Sequence, residues 1–284
     1  MVLYMVGSVI KIEAALMLLP LIVSLIYSET NTAVSFLISI ALALVLGFAM
    51  TLAVKPGSKV IYAKEGFVTV ALSWIFLSLV GCLPFVISGE IPNFIDAFFE
   101  TVSGFTTTGA SVLTDVEAMS RGMLFWRSFT HWVGGMGVLV FVMAIIPSFS
   151  DRSIHLLRAE VPGPVVGKLV PKIRQTARIL YIIYIAITLI EVVFLLIGKM
   201  PLYDSLVHAF GTAGPGGFGI KADSLGSYNS YLQWVITIFM LLFGVNFNLY
   251  YFILIKKVKI ALKSTELWFY IGIIIFSTVC ITAD

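Results

Sequence analysis

The chain has 284 residues, 60% hydrophobic and 12% charged, with a formal net charge of +3. That is far too apolar for a soluble domain, and it points to a multi-span membrane protein. The two cysteines, Cys82 and Cys280, lie in apolar stretches and read as buried small hydrophobes, not as a disulfide or a metal site.

Apolar stretches near the ~20 residues needed to cross a bilayer predict spans over 9–27, 33–54, 67–88, 122–147, 178–198 and 230–255, with a seventh beginning near Leu267. Lys11 and Glu13 sit where a cleavable signal would be uniformly apolar, so the first stretch is read as a span. Basic residues alternate between loops. Lys55, Lys59 and Lys64 follow the second span. Arg152, Arg158, Lys168, Lys172, Arg174 and Arg178 follow the fourth, and Lys256, Lys257, Lys259 and Lys263 the sixth. The alternate loops carry Arg121, Lys199 and Lys221. The positive-inside rule puts the basic loops and the N-terminus in the cytoplasm. Because topology alone places these clusters, no nucleic-acid partner is read into them. Pro162, Gly163, Pro164 and Gly167 break the middle basic loop, which suits either a regulatory partner or a linker at anionic lipid.

Residues 89–121 and 199–229 are too long for hairpin turns. Asn93–Ser103 predicts a short helix with Asn93 as cap, Asp96 in the first turn and Gly104 ending it. Pro201–Phe210 predicts another, with Pro201 near N1, Asp204 early and Gly211 ending it. Each is followed by a Gly/Thr-rich run, "GFTTTGAS" and "GPGGFG". A helix too short to span, followed by irregular chain, reads as a re-entrant loop, which membranes tolerate only where protein or a water-filled cavity satisfies the backbone.

A shift of 108 residues lays the second loop on the first: Asp204 on Asp96, Gly217 on Gly109, Trp234 on Trp126, Lys172 on Lys64. The fold expected is an all-α membrane protein: an N-terminal helical hairpin (1–54), two helix–pore loop–helix units (55–150 and 151–263) and the start of a third (264–284). Such loops suit a monovalent cation. Backbone carbonyls can replace its water without a net charge that would trap it. Pointing carbonyls at one axis requires chain free of regular hydrogen bonding, which Gly permits, and Thr can add a hydroxyl. Thr106, Thr107, Thr108 and Gly109 fit that role in the first loop, and Gly214, Pro215, Gly216 and Gly217 in the second.

"ETVSGFTTTGAS", "WRSFTHWVGGMGVLVFVMAIIP" and "HAFGTAGPGGFGI" together resemble the Trk/Ktr/HKT superfamily of potassium transporters. The N-terminal hairpin makes the chain more similar to the TrkH branch than to KtrB. The resemblance implies helix–pore–helix units around one pore and potassium, with sodium as a further substrate or sodium or protons as coupling ions. It implies a cytoplasmic-membrane homodimer, and a cytoplasmic nucleotide-binding ring of the TrkA type as partner. It places filter glycines at Gly109 and Gly217, with Thr107, Thr108, Pro215 and Gly216 just before them and Thr106, Gly214, Glu100 and Arg127 in support. Most members have Thr where Pro215 stands, so the carbonyl is kept and a hydroxyl lost. The family has four units per chain and this chain two and a start. The expectation is a truncated chain, the alternatives being two chains completing a ring or a non-conducting scaffold that assembles with complete relatives.

Other motifs read plainly. "GPGGFG" matches G-x-G-x-x-G but lacks the βαβ context, so no nucleotide cofactor is assigned to this chain. No nucleophile–base or metal constellation supports an enzyme. Arg127 is read first as bracing the loop through Glu100 or Asp115, ahead of snorkelling or a direct effect on ions. His208, opposite Glu100 in the repeat, is assigned to packing or loop support, and His131 stands alone. "GGMG" at 134–137 is assigned to close helix packing, and Asn246 and Asn248 to interhelical hydrogen bonds. Glu191 fits an interhelical hydrogen bond or the ion pathway equally.

Overall fold

The computed structural model describes residues 1–54, 63–137 and 173–283. Lys55, Lys59, Arg152, Arg158, Lys168, Lys172, the Pro162–Gly167 breakers and residues 138–147 of the fourth predicted span lie outside them. All regular structure among the described residues is helical. Five stretches there are long and apolar enough to cross a membrane: Val2–Ile26, Thr30–Ala53, Lys64–Ser88, Ala177–Ile197 and Thr265–Ala283.

The first span begins earlier than its hydropathy suggests and is two helices, α1 (Val2–Leu16) and α2 (Leu18–Ile26). Pro20 has no N–H for the Leu16 carbonyl, and its ring crowds that carbonyl, so the ladder breaks at Met17. Helix α3 (Thr30–Ala53) returns alongside α1. Gly7 and Gly47 face each other there, and a methyl on either would stand 2.9 Å from the other's carbonyl.

The first unit follows. Helices α4 (Ala63–Gly81) and α5 (Leu83–Ser88) form one span, with Pro84 at the start of α5. Half-helix α6 (Phe94–Phe105) is capped by Asn93, whose side chain accepts from the Ile95 N–H at 2.9 Å. It runs past Gly104, which therefore does not end it. Gly104 lies inside the helix because Thr130 of α7 (Arg121–Gly135) occupies the space a side chain would need. The second unit repeats the order: α8 (Ile173–Ile197), half-helix α9 (Leu202–Ala213), then α10 (Ser230–Phe243). Pro201 is the N-cap of α9, next to N1 as expected, and Gly211 is internal, pressed against the Phe218 carbonyl.

The sixth predicted span is sharply bent. Helix α10 turns by 90° into α11 (Phe247–Leu254). Its 14 residues cover roughly 21 Å, short of a bilayer core. At the break, Asn246 accepts from the Asn248 N–H at 3.0 Å and donates to Glu266 at 3.1 Å. The Tyr270 and Tyr250 hydroxyls donate to the carbonyls of Leu241 and Leu242. Polar side chains thus replace the ladder that the bend interrupts. Helices α12 (Val258–Leu262) and α13 (Thr265–Ala283) complete the described chain.

Two connections hold the loops in place. Phe125, Phe129 and Trp132 of α7 pack on Phe210 of α9, with ring centroids 5.3–5.9 Å apart, joining the units. At the N-terminal end of α7, Glu29 accepts from the Arg121 and Gly122 N–H groups at 2.8 and 3.0 Å, and Glu90 from Ser120 N–H at 2.9 Å. Carboxylates belong at this positive end of the helix, and here they anchor the N-terminal hairpin to the first unit. The repeat does not conserve environment everywhere. Trp126 is fully buried and donates to the Gly81 carbonyl, while Trp234 is 67% exposed.

Candidate functional site

Each loop begins where its half-helix unwinds. After α6, the amides of Thr106, Thr107 and Thr108 turn back to the carbonyls of Val102, Gly104 and Ser103. Thr107 takes φ +55° and Gly109 φ +77°. A β-branched residue in the left-handed region costs about 1–3 kcal/mol, so the surroundings must hold it. After α9, Gly217 takes φ +73°, and its N–H donates to the Gly211 carbonyl at 3.2 Å. The carbonyl oxygens of Thr107, Thr108, Gly109, Pro215, Gly216 and Gly217 accept no hydrogen bond among the described residues. Six strong dipoles are therefore left available on two short loops.

The two loops touch. A side chain on Gly109 would fall on the Gly216 carbonyl, and one on Gly216 would fall on the Thr107 carbonyl and on His131 Nε2. A methyl on Gly214 would stand 2.6 Å from the Thr107 methyl and the His131 carbonyl. Gly217 is different, with only Met240 near, at 3.6 Å from where a methyl would stand. The Thr106 and Thr108 hydroxyls are 2.8 Å apart, and the Thr106 hydroxyl also donates to the Val102 carbonyl.

Behind the loops is a buried ion pair. Arg127 Nε donates to Glu100 at 2.6 Å, and the two residues are 3% and 1% exposed. Glu100 also accepts from the Ser111 hydroxyl and the Val112 N–H, at 2.9 and 3.0 Å, so it holds the exit limb of the first loop. Arg127 reaches the other way. Its Nη1 donates to the Gly219 carbonyl at 3.0 Å, and its guanidinium lies over the Phe218 ring at 3.5 Å. Asp115 instead accepts from the Glu117 N–H. Buried as it is, Arg127 does not snorkel.

The remaining singled-out residues divide. His131 is fully buried against Phe218 at 4.0 Å, and neither ring nitrogen has a hydrogen-bond partner among the described residues. His208 pairs with the Tyr228 hydroxyl. Gly134 packs on the Phe105 backbone, and Gly135 beside the Tyr184 hydroxyl and the Ala213 carbonyl, which is close helix–loop packing. Glu191 is buried beside Thr212 at the end of α9. Among the described residues, no group of His, Cys, Asp and Glu could hold a metal ion. Sequence reasoning missed Ser111, Phe218, Gly219 and Tyr228. The repeat offset places Gly219 opposite Ser111, and that was the available signal.

Residues 30–271 match the family model described as TrkH, cation transport protein. This chain belongs to the TrkH family. Among its relatives, the Trk system potassium uptake protein TrkG of Escherichia coli K12 is 34% identical over 97% of this chain and 58% of that protein. The Trk system potassium uptake protein TrkH of Salmonella typhimurium is 35% identical over 94% of this chain and 56% of that protein. The crystal structure of the potassium transporter TrkH from Vibrio parahaemolyticus superimposes with a TM-score of 0.75 at 30% identity, covering 88% of this chain and 50% of that one. This TrkH-family chain thus spans about half the length of the relatives it matches. The helix–pore loop–helix order expected from the sequence is the order of that fold.

Proposed function

We propose that this chain takes part in potassium uptake across the cytoplasmic membrane, with the carbonyls of Thr107, Thr108, Gly109, Pro215, Gly216 and Gly217 standing in for the ion's water. The observation that carries this reading is the pairing of Gly109 and Gly217. Both adopt positive φ at repeat-equivalent positions, on two touching loops whose six named carbonyls accept no hydrogen bond among the described residues. Neutral dipoles stabilise a passing cation without trapping it. The C-terminal ends of α6 and α9, which lead into the loops, add partial negative charge at the same place. Pro215 contributes its carbonyl but no hydroxyl. Thr106, Gly214, Glu100 and Arg127 shape the loops and do not touch the ion.

The exposed Lys64, Arg178, Lys256, Lys257, Lys259 and Lys263 fit a cytoplasmic face and an N-terminus on that side. A homodimer docked on a nucleotide-binding ring is the assembly that accompanies this reading. The ion is substrate, and the chemistry calls for no cofactor and no enzymatic step.

The test is rubidium uptake by the complete gene product in cells lacking other potassium-uptake systems. Replacing Gly109 or Gly217 with Ser is expected to relax discrimination against sodium. Wild-type discrimination in both variants would remove the filter assignment.

A further inference from the structure

Glu100 and His208 occupy equivalent positions in the two half-helices. In the first unit, Glu100 holds its own loop's exit limb at Ser111 and Val112. In the second, the counterpart of Ser111 is Gly219, which offers no side chain and gives its carbonyl to Arg127. The second limb is tied to its own half-helix farther along. His208 Nε2 lies 3.2 Å from the Tyr228 hydroxyl, with the rings edge to face at 5.2 Å. Among the described residues this is the one side-chain hydrogen bond between α9 and that limb. His208 is 3% exposed, so water does not compete for the bond.

Tyr228 is itself fixed. Its carbonyl accepts from Gln233 at 3.0 Å, its N–H donates to the Leu225 carbonyl at 3.1 Å, and Lys221 lies 4.4 Å over its ring. The intervening limb is bonded turn by turn. Ser224 N–H donates to Lys221, Gly226 N–H to Asp223, and Ala222 N–H to the Glu117 carboxylate of the first unit. Residues 221–228 therefore form one bonded segment, and the Tyr228 hydroxyl ties that segment to α9.

We infer that His208 and Tyr228 are positioning residues: their hydrogen bond sets the second filter loop, as Glu100 sets the first, with a neutral pair where the first unit uses a charged one. The inference rests on the filter reading above, because it concerns the placement of the carbonyls that reading assigns to the ion.

The experiment measures sodium competition against rubidium uptake by the complete gene product, with Gly217→Ser and Gly109→Ser as reference variants. Tyr228→Phe removes one hydroxyl and keeps the ring that packs on His208 and Lys221, so it isolates the bond from folding. Tyr228→Phe and His208→Ala are each expected to strengthen sodium competition roughly three- to tenfold, the range of one lost hydrogen bond. The double variant should do no more than either single one, since both remove the same contact. His208→Gln, which can still bond the hydroxyl, should recover most of the discrimination. Wild-type competition in Tyr228→Phe beside a relaxed Gly217→Ser overturns the inference and leaves the filter reading standing. So do additive effects in the double variant. Wild-type competition in Tyr228→Phe, Gly217→Ser and Gly109→Ser alike overturns both.

Discussion

Arg127 Nε meets Glu100 at 2.6 Å out of reach of solvent, and each residue holds the exit limb of a different loop. Glu100 takes Ser111 and Val112 of the first, and Arg127 takes Gly219 of the second. One ion pair thereby sets the two loops relative to each other. An isolated charge at this depth would be prohibitively costly, so each partner is also what makes the other tolerable.

Removing one partner should accordingly cost more than removing both. Glu100→Gln or Arg127→Met alone is expected to destabilise the protein by about 3–5 kcal/mol, because a buried charge is left without its counterion. The double variant should recover much of that. Thermal unfolding of the detergent-solubilised protein measures it. Arg127→Lys is also expected to fail, since one ammonium cannot serve Glu100 and Gly219 in the two directions the guanidinium does.

Gly109 and Gly217 should tolerate alanine unequally. Both have positive φ, which costs a non-glycine residue about 1–3 kcal/mol. At Gly217 that is the whole penalty, since only Met240 lies near. At Gly109 the new methyl would also land on the Gly216 carbonyl and push the loops apart. Gly109→Ala is therefore expected to lower rubidium uptake and weaken discrimination clearly more than Gly217→Ala does. Equal activity in the two variants would contradict the loop contact.

The sequence disclosed features written in local pattern and concealed those made by distant contacts. Asn93 as a cap, the half-helices and the repeat were legible because capping, length and order are local properties. Gly104 and Gly211 were misread as helix ends because their reason lies elsewhere in the chain, at Thr130 and Phe218. The bend in α10–α11 was hidden for the same cause. Asn246 and Asn248 were read as polar groups within one span, while the partners that permit a break, Tyr250, Tyr270 and Glu266, come later. Arg127 was conspicuous as a charge in an apolar run, and Glu100 was a nameable partner. That the same arginine also holds Gly219 across the unit boundary has no local signature.

The N-terminal hairpin should contribute to the first unit through Glu29, which shares the start of α7 with Glu90 of that unit. Glu29 satisfies two otherwise unpaired N–H groups at the start of α7, and Glu90 satisfies Ser120 N–H and accepts from its hydroxyl at 2.6 Å. Losing such a cap costs about 0.5–2 kcal/mol. Glu29→Ala is expected to lower the melting temperature and to speed amide hydrogen exchange at Arg121 and Gly122, with the half-helix α6 unaffected. Unchanged exchange at those two amides would show that the hairpin does not hold α7.

The His208 anchor carries a signed pH dependence. Burial, reinforced by Lys221, pulls the His208 pKa from 6.5 down to about 4. The facing Tyr228 hydroxyl is pushed up to about 12, so it stays neutral throughout the acid range. An unfolded ring takes a proton below its ordinary pKa, while the folded one refuses it until about pH 4. Between those values the unfolded state binds more protons, and stability falls as the pH falls. The cost is absent above the ordinary value and grows to roughly 3 kcal/mol at the bottom of the window. His208→Gln removes the titrating group and keeps a hydrogen-bonding amide. The wild-type protein is expected to lose stability relative to that variant as the pH is lowered from about 7 to about 4.5. Parallel melting profiles for the two proteins across that range would mean that His208 carries its proton in the folded state, in an environment open to water.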